Sequence, residues 1–66
     1  MIEVNRDAIK ELSSKTKYSA SEVECALKFM VEKGFDTETS VGILEKLLVR
    51  VTNFRDLMEM LRIMCS

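Results

Sequence analysis

Covalent chemistry in this chain would have to start from Cys25 or Cys65, because there is no histidine to serve as base or ligand. A nucleophilic thiol needs a base within hydrogen-bond reach. The thiols stand 40 positions apart, with no imidazole anywhere to activate either. Cys25 falls among apolar residues and reads as a small core side chain, while Cys65, beside the C-terminus, reads as an exposed thiol. Structural zinc takes four ligands from a close-spaced Cys and His set, which two cysteines cannot supply. Asp36, Glu38 and the hydroxyls around them match neither a calcium loop nor a paired acid and base, and capping of a helix accounts for them. Gly34 and Gly42 are isolated and give no phosphate cradle. These residues point to a non-enzyme with no cofactor and no metal.

The methionines carry more information. Met30, Met58, Met60 and Met64 lie near Phe35 or on the last apolar stretch, beside Leu57. Methionine at helical spacing is commonly core, yet its soft thioether also suits adaptable contact surfaces. The final stretch holds more apolar residues than one buried stripe needs. A protein partner, or a second copy of the chain, would cover Met60 and Ile63.

The chain that must position these side chains has 66 residues, which fits one domain over 1–66. A domain near this size buries only roughly 60% of the surface that its unfolded chain exposes. With 47% apolar and 32% charged residues and no proline, the composition is that of a compact helical protein. The formal charge of −1 provides no overall positive field to attract nucleic acid or an anionic membrane. Two cysteines are too few for the disulfide framework of a small secreted domain. No signal peptide and no apolar run near the length of a membrane span are present, so the expected location is cytoplasmic, with reduced thiols and no membrane partner.

The predicted architecture is an all-α bundle of four short helices, at about 6–15, 20–33, 38–50 and 54–64. Asn5 is a good N-cap for the first, with Val4 and Ile9 as a hydrophobic staple and Ala8, Ile9 and Leu12 facing inward. Ser19 with Glu22 forms a capping box for the second, and Ser21 with Glu24 offers another register. Its inward stripe is Val23, Ala26, Leu27, Met30 and Val31, widened by Cys25 and Phe29. Gly34 then occupies the position where the chain enters the left-handed region, which places Phe35 to touch Met30 in a Schellman motif. Asp36 or Thr37 caps the third helix, whose apolar residues are Val41, Leu44, Leu47, Leu48 and Val51, with Ile43 beside them. Gly42 inside that helix reads as a close approach of a neighbour. Thr52 or Asn53 caps the last helix, with Phe54, Leu57, Met58, Leu61 and Met64 as its stripe and Met60 and Ile63 spreading sideways.

From Ile9 to Phe35 the short helix, the Lys17-Tyr18-Ser19 turn and the second helix also look like a helix-turn-helix. Duplex DNA would then be held by Lys15, Lys17 and Lys28, using helices 6–15 and 20–33. Glu22 and Glu24 near the start of the reading helix oppose phosphate, and no hairpin wing follows.

The corner Lys33-Gly34-Phe35-Asp36, followed by a helix with Val41, Leu44 and Leu48 and a last helix with Leu57 and Leu61, resembles the ubiquitin-associated (UBA) domain. The resemblance covers about Val23 to Ile63. It implies a three-helix core and a binding patch of Gly34, Phe35, Leu57, Leu61 and their neighbours, with Lys33 standing where that family's loop has methionine. In an earlier register, Lys10-Glu11-Leu12, Thr16, Glu22 and Ala26-Leu27 look like the N-terminal module of translation elongation factor Ts. Ser19-Ala20-Ser21 and Ala26-Leu27-Lys28 are similar to the UBA-like domain of the nascent-chain-associated complex. Both alternatives imply a UBA-like three-helix core, built from the first three helices.

The reading is therefore a small non-enzymatic interaction module. Its expected partner surface is Gly34, Phe35, Leu57, Met58, Met60, Leu61 and Ile63, supported from beneath by Leu27 and Met30. The occupant would be a foreign protein or a second subunit in a homodimer.

Overall fold

The computed structural model describes residues 5–65 and consists of four α-helices: α1 (Arg6–Lys15), α2 (Ala20–Glu32), α3 (Thr37–Arg50) and α4 (Phe54–Met64). No strand occurs among the described residues. The all-α bundle expected from the periodicity is the observed architecture.

Each helix begins on a polar cap whose side chain accepts from one or two of the free backbone N–H groups. The Asn5 side chain accepts from the N–H groups of Asp7 and Ala8. Ser19 and Glu22 form the reciprocal capping box, in the first of the two registers. Asp36, not Thr37, caps α3, accepting the Thr39 N–H at 2.7 Å. Hydrogen bonds from the Thr39 side chain and backbone hold the Asp36 carboxyl below its ordinary range. Asn53, not Thr52, caps α4. The staple between Val4 and Ile9 lies outside the described residues.

At the corner between α2 and α3, Lys33 is the C-cap and Gly34 enters the left-handed region at φ 106°. The Phe35 N–H donates to Met30 O at 3.2 Å and the Gly34 N–H to Val31 O at 3.1 Å, the two bonds of a Schellman motif. Helix α2 thus ends at Glu32, one residue before the expected limit, because Lys33, whose N–H still donates to Phe29 O, has a backbone ψ of 0° that turns the chain out of the helix.

Helix α2 packs on each of the other three helices, so the core gathers around it. Val23, Ala26, Leu27 and Met30 are fully buried from α2, Leu44 from α3, and Leu57 and Leu61 from α4. α1 adds Ile9 and Leu12, and Tyr18 comes from the turn that follows. The Tyr18 hydroxyl donates to Val51 O at 2.7 Å, joining the α1–α2 turn to the residue that leads out of α3.

Several expected core positions are elsewhere. Cys25 is exposed, since it lies two residues from both Val23 and Leu27 and so about 200° around α2 from each. Gly42 is exposed, and a Cβ built there would meet nothing within 4 Å, so no neighbour approaches it. The small residue buried on α3 is Ser40, whose hydroxyl bonds Asp36 O at 2.8 Å. Val31 is only half-buried, and Met64 is exposed on the flank of α4. Cys65 is half-buried against the core instead of exposed.

Candidate functional site

The apolar side chains left uncovered on α4 define the candidate surface. The helix starts where its cap fixes it: Asn53 accepts the Asp56 N–H at 2.8 Å and donates its own amide to the Asp56 carboxylate at 2.9 Å. Just upstream, Val51 is held by the Tyr18 hydroxyl. From that start, the helical period turns Leu57 and Leu61 inward and projects Met60, Ile63 and Met64 outward, at 40%, 70% and 45% exposure.

Leu57 and Leu61 therefore do not belong to a binding patch. Both are 0% exposed within the core cluster, and a partner would have to unfold the domain to reach them. Met58 is half-buried against the core, about 200° around the helix from Met60, so these two methionines serve opposite flanks. Phe35 is half-buried and packs on the cluster containing Met30, while Gly34 is exposed at the corner. Leu27 and Met30 are wholly interior.

Two open grooves flank the outer ridge of α4. One, about 460 Å³ in volume, lies toward the end of α2 and is lined by Phe29, Lys33, Glu59, Arg62, Ile63 and Cys65. The other, about 420 Å³, lies toward the end of α3 and is lined by Arg50, Val51, Thr52, Asp56, Glu59, Met60 and Ile63. Neither lining includes Gly34 or Phe35. Of the expected patch, the structure thus brings together Met60 and Ile63, adds Glu59 beside them in both grooves and Arg62 beyond Ile63 on the α2 side, and leaves the corner apart.

Phe29, Lys33, Glu59 and Arg62 were not foreseen as site residues. The Lys33 ammonium stands 5.5 Å from the centroid of the Phe29 ring, a cation–π distance. That spacing of four residues along α2 was a usable signal, as was Glu59 with Arg62 three apart on α4. What no local pattern gave was the facing of these two helix ends.

The lysines of the DNA alternative are dispersed among carboxylates. Lys15 pairs with Glu11 at 2.8 Å, a hydrogen bond that lowers the Glu11 carboxyl and raises the Lys15 ammonium from their ordinary values. Lys15 and Lys17 line a small groove with Tyr18, Leu48 and Val49. Lys28 is exposed on α2, with Glu24 and Glu32 four residues to either side.

Among the described residues no group of three or more His, Cys, Asp or Glu side chains could hold a metal ion, and both cysteines are free thiols. No described helix is long and apolar enough to cross a membrane. No protein-family model, curated protein or solved structure matches the chain.

Proposed function

We propose that this chain is a non-enzymatic protein-interaction module whose docking surface is the outer face of α4, with Met60 and Ile63 at its centre and Glu59 and Arg62 along its rim. The observation that carries the reading is the 70% exposure of Ile63 and 40% exposure of Met60 on a helix whose Leu57 and Leu61 are completely buried. Binding removes this apolar area from water at roughly 25 cal/mol per Å². The charged rim then sets orientation more than affinity. The grooves on either side of Ile63 give an incoming helix or loop two places to seat side chains. The UBA-like resemblance of the Lys33–Asp36 corner supports the same functional class, with the surface moved from the corner to the neighbouring helix.

A photocrosslinking amino acid placed at Met60 in the native cell tests the reading, with Lys10 on α1 as the control position. A discrete protein adduct from position 60 and none from position 10 is the expected result. Absence of any adduct from position 60 would overturn the proposal.

A further inference from the structure

We infer that the occupant of the outer face of α4 is a second copy of this chain, packed antiparallel through α4 itself. This rests on the interaction surface proposed above and adds the identity of what covers it. The order of charges along the helix favours this occupant. In a twofold-symmetric contact, residue i of one copy meets residue j of the other, and j meets i. Setting Met60 opposite Ile63 of the second copy places the axis between Leu61 and Arg62. Met60 and Ile63 then contact each other twice, and the two most central exposed apolar side chains are covered together.

That register also fixes the charges. Glu59 and Arg62 both line the groove beside Phe29 and Lys33, Arg62 from the flank of α4 and Glu59 from the ridge it shares with the other groove. A twofold axis perpendicular to the paired helices brings each flank against its own copy. Glu59 falls opposite Met64 of the second copy, two residues from that copy's Arg62. At about 1.5 Å per residue the axial offset is about 3 Å, well within side-chain reach. Symmetry makes two such pairs. A parallel arrangement has its twofold along the helices, so the flank carrying Arg62 would meet the flank carrying Met60 and the paired charges would be lost. Neither residue is engaged within its own chain by the ion pair that the described residues form, which joins Lys15 to Glu11.

The contact is small. The 11 residues of α4 span about 16 Å. A standard interface buries about 800 Å² on each partner, more than one face of such a helix offers. A concentration-dependent dimer of micromolar or weaker affinity is the expectation.

Sedimentation equilibrium on the full chain from about 1 μM to 1 mM tests the inference. The expected result is a reversible monomer–dimer equilibrium, weakened about tenfold or more by Glu59→Arg or by Arg62→Glu alone. Mixing the two single variants should restore association as a heterodimer, because every facing pair is again of opposite sign. The double variant E59R/R62E should dimerise like the wild type. Helix content by circular dichroism is expected to be unchanged in all of them. A chain that stays monomeric throughout the range, or a dimer indifferent to both single reversals, overturns the inference. The interaction reading survives that outcome if position 60 crosslinks to a protein of different mass, and fails with it if position 60 crosslinks to nothing.

Discussion

The two faces of α4 carry side chains of the same kind with opposite fates. Leu57 and Leu61 are removed from water completely, whereas Met60, Ile63 and Met64 stay substantially exposed a few residues away. Hydrophobicity does not distinguish the two sets, since isoleucine is as apolar as leucine. The direction from which α2 approaches does. The inner face holds the fold together, and the outer face, contributing little to it, is left available for another chain.

The largest expected effect comes from cutting into the inner face. Leu61→Ala should destabilise the domain by about 2–5 kcal/mol, because it leaves a cavity where the side chain is wholly enclosed. Ile63→Ala should change stability by no more than about 0.5 kcal/mol, as for other surface substitutions. Urea denaturation of both variants measures the contrast. Similar losses from the two would erase the distinction between the faces.

A smaller effect concerns what aims the helix. Tyr18→Phe removes the hydroxyl that donates to Val51 O and leaves that carbonyl without its partner, at an expected cost of about 1–3 kcal/mol. Burial, followed by the negative charges of Glu22 and Asp56, pushes the Tyr18 hydroxyl above its ordinary value of 10.0. The protonated hydroxyl is thus favoured in the folded state. Its contribution is complete below the unfolded value and is lost as pH rises through the folded one. The wild type should lose stability as the medium becomes alkaline beyond about pH 10. Tyr18→Phe should flatten that part of the pH profile, as seen in thermal unfolding across pH 9 to about 11.5.

The smallest effect sharpens the comparison on α3. Gly42→Ala should stabilise the domain by about 1 kcal/mol, because the site is helical, exposed and open around a new Cβ. Gly34 also has open space around a Cβ, but its φ of 106° strains any other residue, so Gly34→Ala should shift stability in the opposite direction. Thermal unfolding of the pair separates backbone conformation from crowding. A destabilised Gly42→Ala would reinstate the close approach expected at that glycine.

Much of this molecule was legible in short stretches. Asn5, Ser19 with Glu22, Asp36 and Asn53 cap their helices as their residue types suggested, and Gly34 closes α2 with both Schellman bonds. Such signals act over three to six residues, so the chain carries them locally. The site was less legible. Periodicity puts Leu57 and Leu61 on the apolar stripe of the last helix while the family resemblance puts them in a partner patch, and they belong to the core; Cys25, read as core, lies outside.

By itself, then, the sequence determined four helices, their caps, the glycine corner and an excess of apolar residues on the last helix. Only the tertiary structure decided which part of that excess is buried. It also paired Tyr18 with Val51, 33 residues away. On α3 it gave the buried small-residue position to Ser40 in place of Gly42. The reason is geometric: caps and turns depend on neighbours along the chain, whereas the buried flank of an amphipathic helix depends on where the other helices lie.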